Sequence, residues 1–383
     1  MYCEVYILDA PYHIDRAFDY IATENTERGS IVRVPFGRAD KLRMGVVLRV
    51  KADAEGANIK PVHSVLTDRP PLTDEMLGLC LFLKEYTLCT FGEAARTVLA
   101  PGALSDTINV KYSRTCRLNL DKTAAATLLV ATGKSGIRSE RQKSVIRYLL
   151  DIGSADYTLV RDLPGVTSQN IAALVEKGII VIDESELIRN PYAAYASERD
   201  TSPIVLSRAQ MAAYDTIAGL YLDNAPRAAL LYGVTGSGKT KVIMKTIDKV
   251  IADGKSVIMM VPEIALTPQL LSVLAARFGD QVALLHSSLG TGERADQWKR
   301  LKSGDAKVAV GTRSAVFAPC QNLGLLILDE EQEHSYRSEQ SPRYSAKEVA
   351  IWRGSHENAL VLLGSATPSV ETMHRAKNGD YRL

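Results

Sequence analysis

Apolar and polar residues follow three successive rhythms along this chain. From residue 1 to 105 they alternate with a period of two, as in Ile31-Val32-Arg33-Val34 and Met44-Gly45-Val46-Val47-Leu48-Arg49-Val50. Successive side chains of a strand face opposite ways, so this segment predicts a small β-rich domain. A helix is expected near Thr73–Thr87, and the chain breaks at Ala100-Pro101-Gly102-Ala103. From 106 to 198 the period lengthens. Val145, Ile146, Leu149 and Leu150 make one apolar helix face. Thr167-Ser168 can cap a helix carrying Ile171, Leu174 and Val175, and Gly178 ends it before the strand Ile179-Ile180-Val181-Ile182. Helix, turn, helix and hairpin is the layout of a winged helix. Such a domain binds DNA or serves as a packing or protein-contact module, and both uses stay open here. Tyr192–Ser202 reads as a polar linker.

From 199 to 383 the apolar residues gather in short unbroken runs: Ala229–Tyr232, Ser256–Val261, Val282–Leu285, Val308–Val310, Leu325–Leu328 and Leu360–Leu363. Helical stretches separate most of them, the alternation of a doubly wound parallel sheet. The fold class expected is therefore multidomain α/β, with domains at 1–105, 106–198 and 199–383.

Composition narrows this only a little. The chain has 383 residues, 46% of them hydrophobic, room for two or three domains with cores of their own. No apolar run approaches the ~20 residues that span a bilayer, and Met1-Tyr2-Cys3-Glu4 lacks the pattern of a signal peptide. No membrane association is expected. The five cysteines are dispersed without a C-x-x-C pair, which argues for free thiols in a reducing, cytoplasmic compartment and against a zinc site in this chain. A formal net charge of +2 requires any nucleic-acid surface to be local.

Candidate chemistry sits mainly in the third segment. Gly233-Val234-Thr235-Gly236-Ser237-Gly238-Lys239-Thr240 fits G-x-x-x-x-G-K-[ST] without a mismatch. The glycines let backbone N–H groups point at a polyphosphate, Lys239 would reach its β and γ oxygens, and the Thr240 hydroxyl would ligate Mg²⁺. The flanks agree: a buried strand enters, and a helix with Ile243, Ile247, Val250 and Ile251 on one face leaves. ATP hydrolysis also needs carboxylates opposite the phosphates. The run Leu325–Leu328 ends in Asp329-Glu330-Glu331, where Asp329 would hold Mg²⁺ and Glu330 would polarise the hydrolytic water. Three more loops, Pro262–Gln269, Gly311–Ala315 and Gly364–Ser369, follow candidate strands, and their small residues, hydroxyls and N–H groups suit a phosphodiester backbone.

Together these phrases resemble the first motor domain of a superfamily 2 helicase, a RecA-like domain. Their wording is similar to one family, the bacterial replication-restart helicases PriA, or primosomal protein N-prime. The similar phrases are Gly233–Thr240, Val261–Gln269, Leu284-Leu285-His286-Ser287, Gly311–Phe317, Asp329–Glu331 with Ser335-Tyr336, Pro342-Arg343-Tyr344 and Gly364–Ser369. Phe18-Asp19-Tyr20 and Val32–Gly37 resemble that family's 3′-end-binding domain. The resemblance implies ATP-dependent 3′→5′ unwinding at stalled forks, with forked and single-stranded DNA, single-stranded DNA-binding protein and primosome proteins as partners of a nucleoid-associated monomer. It implies that Gln210 contacts adenine, and that Thr267 and Arg313 touch DNA. Tyr336, Arg343 and Tyr344 would couple single-stranded DNA to the ATP site from an aromatic-rich loop. Phe18, Asp19 and Tyr20 would hold a nascent 3′ end, Asp19 accepting from the 3′-OH, with Arg33, Arg38, Lys41 and Arg43 supplying phosphate contacts.

Two departures qualify the resemblance. The family usually has His after the two glutamates, whereas Gln332 stands here, with His334 two residues on. The chain also ends at Leu383, so a second motor domain and the family's zinc-binding cysteines are expected only beyond it, and slow hydrolysis is expected of this piece. Two other readings stay open: a DNA-binding scaffold that only senses ATP, and a RecG-like fork remodeller.

Overall fold

The computed structural model describes residues 1–54, 58–67, 69, 71–99, 112–130, 137–186, 199–223 and 228–383. The expected break at Ala100–Ala103 and residues 192–198 of the expected linker lie outside them. By internal contacts the chain forms two units, Met1–Ile108 with Asn190–Leu383, and Asn109–Arg189.

The first unit begins with β1 (Tyr2–Ile7), β2 (Ala17–Ile21), β3 (Ile31–Phe36), β4 (Lys41–Lys51) and β5 (Ser64–Val65), an antiparallel sheet in the order β2-β1-β4-β3-β5. Its alternation is direct: Cys3, Val5 and Ile7 of β1 are buried while Tyr2, Glu4 and Tyr6 are only partly so. Two helices follow. In α1 (Asp74–Thr87) the Thr73 hydroxyl accepts from the Met76 N–H, and α2 (Phe91–Val98) starts on a capping box of Thr90 and Glu93. Each cap satisfies orphan N–H groups and is worth roughly 0.5–2 kcal/mol.

The second unit holds β6 (Tyr112–Leu118), α3 (Lys122–Val130), α4 (Glu140–Ile152), β7 (Ser154–Asp156), α5 (Tyr157–Arg161), α6 (Ser168–Glu176) and β8 (Ile180–Glu186). Its three strands pair antiparallel in the order β7-β6-β8. Val145, Ile146, Leu149, Ile171 and Leu174 close a separate core against Cys116 and Ile180. The expected helices and strand are present, but among the described residues β8 pairs with β6 across the intervening helices rather than with a consecutive strand as a hairpin.

The first unit resumes with α7 (Arg208–Asp223), β9 (Ala228–Tyr232), α8 (Lys239–Ala252), β10 (Ser256–Met260), α9 (Pro268–Phe278), β11 (Val282–Leu285), α10 (Thr291–Ser303), β12 (Val308–Gly311), β13 (Leu323–Leu328), α11 (Ala346–Glu357), β14 (Leu360–Ser365) and α12 (Val370–Lys377). The six strands are parallel, ordered β11-β12-β10-β13-β14-β9. Helices cover both faces, which is why the strands read as unbroken apolar runs. Val257, Met259, Leu325 and Ile327 point to the side of α7, α8 and α9, whereas Ile258, Met260, Leu326 and Leu328 point to the side of α10, α11 and α12.

That second face shares its core with α1 and α2, whose Leu77, Cys80, Leu83 and Phe91 join the same buried cluster. The seam also carries specific contacts. Arg353 of α11 is 1% exposed and donates to Glu75 of α1 at 2.6 Å, to the Val316 carbonyl at 2.6 Å and to the Ala318 carbonyl at 3.0 Å. Trp352 stacks on Phe82 at 5.5 Å between ring centres. The helical hairpin of the N-terminal segment is thus built into the parallel sheet's core.

Candidate functional site

Strand β9 delivers the phosphate loop and α8 begins on Lys239, so the loop is Gly233–Gly238. Gly236 and Gly238 take φ of 79° and 82°, a left-handed region that residues with a β-carbon avoid. The Lys239 ammonium donates back to the Gly233 carbonyl at 2.8 Å, spanning the loop from its last residue to its first. Thr235 and Thr240 are exposed, and Val234 is 70% exposed, leaving one side of the loop open. Gln210 of α7 presents its amide to protein: Nε2 donates to the Ser237 carbonyl at 2.8 Å and Oε1 accepts from the Ser207 N–H at 2.9 Å. Gln210 thus braces the Gly233–Gly238 loop from α7.

Next to it, the parallel register carries β13 to the same edge of the sheet. The Asp329 N–H donates to the Met260 carbonyl at 3.0 Å. Burial pushes the Asp329 carboxyl up from its ordinary value and Glu330 adds to this, while the Lys239 charge pulls the other way. A partly desolvated carboxylate beside a second one is short of positive charge. With the Thr240 hydroxyl on the open side of the loop, this donor set fits a hydrated Mg²⁺ ion. Gly364 makes room: a β-carbon there would lie 3.0 Å from Asp329 Oδ1.

Ser365 joins the two halves. Its carbonyl accepts from the Gly233 N–H at 3.2 Å, and its hydroxyl donates to Gln332 Oε1 at 2.6 Å. Gln332 Nε2 in turn donates to Glu330 Oε2 at 3.0 Å. The glutamine that departs from the expected histidine therefore links the acidic strand end to the Gly364–Ser369 loop. Glu331 is turned inward, 4% exposed, and Lys347 donates to it at 2.9 Å. Burial alone would raise its pKa, but hydrogen bonds from Lys347, the Ser369 N–H and Thr372 outweigh that and hold it below the usual range.

The residues assigned to DNA by resemblance are scattered. Thr267 caps α9, its hydroxyl accepting from the Leu270 N–H at 3.3 Å. Arg313 donates to the Ser335 carbonyl at 3.4 Å and to that of Arg337, and it lies 5.8 Å from the centre of the Tyr344 ring. Tyr336 and Tyr344 differ from expectation. They are 3% and 6% exposed, so neither offers a ring face to a base. The Tyr336 hydroxyl donates to the Asp329 carbonyl at 2.7 Å, and Tyr344 packs edge-on against Phe317 at 5.0 Å. They position the 333–345 loop, on which Arg337 and Arg343 are exposed. In the N-terminal sheet, Phe18 packs edge-on against Phe36, Tyr20 is buried with its hydroxyl on the Pro35 carbonyl at 3.2 Å, and Asp19 pairs with Lys51 at 2.8 Å. These three lie on β2, in a sheet separate from that of the phosphate loop.

Gln332 and Lys347 were given no site role by the sequence, and Gly364 and Ser365 entered only as part of the Gly364–Ser369 loop. Gln332 carried a signal only as a departure from a known phrase. A lone lysine at the start of a helix carries none. Among the described residues no cluster of His, Cys, Asp and Glu could hold a metal by itself, and no helix is long and apolar enough to cross a membrane.

The family profile described as 3'DNA-binding domain (3'BD) of PriA matches residues 6–100, and that of DEAD/DEAH box helicase matches residues 207–376. The replication restart protein PriA of Bacillus subtilis is 33% identical, over 100% of this chain and 55% of its own length. That of Chlamydia trachomatis is 34% identical, over 100% of this chain and 51% of its own. The chain spans about half the length of the curated relatives it matches. Among solved structures, RecG bound to a three-way DNA junction is 28% identical, with a TM-score of 0.36, over 47% of this chain and 23% of that one. Two matched profiles in order along the chain, and relatives aligned along all of it, identify the chain as a member of the PriA family of replication restart proteins.

Proposed function

We propose that this chain is the ATP-binding and fork-binding portion of a DNA helicase that moves 3′→5′ and restarts replication at stalled forks. The observation that carries the reading is Ser365, hydrogen-bonded to the Gly233 N–H and to Gln332, which in turn donates to Glu330. Such a bridge lets the state of a nucleotide at Gly233–Thr240 reach the loops at the carboxyl edge of the sheet, where α/β proteins bind ligands.

In this reading the N–H groups of Gly233–Gly238 and the Lys239 ammonium bind the phosphates, and Thr240 and Asp329 hold Mg²⁺. Bound Mg²⁺ supplies charge neutralisation at the γ-phosphate. Glu330 orients the attacking water, held in place by Gln332. Because Gln332 keeps hydrogen bonds on both sides, the change from histidine retains a link between Glu330 and Ser365. At the other end, Asp19 and its neighbours on β2 recognise an arrested 3′-OH, and zinc, single-stranded DNA-binding protein and primosome contacts belong to the whole family member.

Fluorescence anisotropy in the presence of Mg·ATPγS tests the DNA side. A fork carrying an arrested 3′-OH should bind several-fold tighter than blunt duplex, and a 3′-phosphate should remove the preference. Equal affinity for all three DNAs would count against the fork reading.

A further inference from the structure

Resting on the nucleotide-site reading above, we infer that Lys347 is a positioning residue that locks the Asp329–Gln332 turn to the Gly364–Ser369 loop. Lys347 is the second residue of α11, where a cation opposes the helix dipole. Its place is explained by what it reaches. The ammonium has three donors and finds three acceptors, Glu331 Oε2 at 2.9 Å, Thr372 Oγ1 at 2.9 Å and Ser369 Oγ at 3.3 Å. The Glu331 side chain, fully buried against this ammonium, also accepts from the Ser369 N–H at 2.7 Å and from the Thr372 hydroxyl at 2.9 Å. Three segments therefore meet in one buried knot: the acidic strand end, the start of α11 just after the 333–345 loop, and the end of the Gly364–Ser369 loop.

The knot explains a second feature. Glu330 has φ of 50°, left-handed backbone that a residue with a β-carbon keeps only when its neighbours hold it. On one side Asp329 is fixed by its N–H on Met260, and on the other the Glu331 N–H donates to the Gly364 carbonyl at 3.0 Å. Lys347 keeps the Glu331 carboxylate inside. Without it, a buried carboxylate short of donors turns toward water, and the hold on Glu330 is released.

Amide hydrogen exchange on the full chain tests this, comparing Lys347→Met, Lys347→Arg and the double change Lys347→Met with Glu331→Gln. The knot predicts at least tenfold faster exchange at the Glu331 and Ser369 amides in Lys347→Met, with the β10 and β12 amides unchanged and protection restored in Lys347→Arg. Unchanged exchange at those two amides, or an equal rise across the whole sheet, overturns the proposal. Should Lys347→Met fail to fold, the double variant decides, since it carries neither charge. Faster exchange at Ser369 supports the knot and wild-type exchange refutes it. A parallel titration of the unaltered chain with Mg·ATPγS separates the two levels. Failure to bind would remove the nucleotide reading, while the exchange rates still decide the knot.

Discussion

Lys51 stands between two carboxylates, 2.9 Å from Glu4 and 2.8 Å from Asp19, and Arg49 grips Glu4 from the other side at 2.7 and 2.8 Å. Asp19 is thus held in place by Lys51, a fixed geometry that the proposed contact with a 3′-OH would use. The hydrogen bond from Arg49, helped by Lys51, lowers the Glu4 pKa from 4.5 to about 2 against the opposing effect of burial. A carboxyl whose folded value is depressed stabilises the fold above its unfolded value and loses that contribution as pH falls through the folded one. Stability of the first unit should therefore fall between pH 4.5 and about 2, and Glu4→Gln should flatten that part of the curve in urea titrations. An unchanged slope would mean that this ion cluster adds nothing. Single residues were hard to read from the sequence for one physical reason. Lys347 and Glu331 are 16 positions apart and share no periodicity, so only the fold brings them together. The resemblance implied stacking at Tyr336 and Tyr344, whereas both rings are buried.

At the scale of elements, the parallel sheet was plain in the sequence because its strands, the exposed end of β9 apart, are buried on both faces and so appear as unbroken apolar runs. The turn between β9 and α8 was equally plain, since left-handed backbone at Gly236 and Gly238 demands its own residue type. The seam between α1 and α11 was not. Glu75 is an ordinary first-turn acid of a capped helix, yet it is the carboxylate partner of the buried Arg353. Removing one partner of a buried pair strands the other charge, typically at about 3–5 kcal/mol. Glu75→Ala should therefore destabilise the first unit by about 3 kcal/mol in chemical denaturation, discounted from the upper value because Glu75 is 17% exposed. A loss below about 0.5 kcal/mol would show that the Val316 and Ala318 carbonyls suffice for Arg353.

Over the whole molecule, the helical hairpin of the 3′-end-binding segment shares a core with the motor sheet, and Ser341, in the loop before α11, donates to Glu93 of α2 at 2.9 Å. The segments that the sequence separates as 1–105 and 199–383 therefore fall in one compact unit, and Asn109–Arg189 carries a core of its own. A periodicity argument could not see this, because it describes which face of a helix is apolar and not which sheet covers it. In that unit the Gly233–Gly238 loop, the acidic residues after β13 and Ser365 make up the proposed nucleotide site. Equilibrium titration with Mg·ATPγS tests that claim most directly, comparing the unaltered chain with Lys239→Ala. The account predicts one saturable site whose affinity drops at least tenfold in the variant, about 1.4 kcal/mol or more. No saturable binding by the unaltered chain, or equal affinity in both proteins, would contradict it.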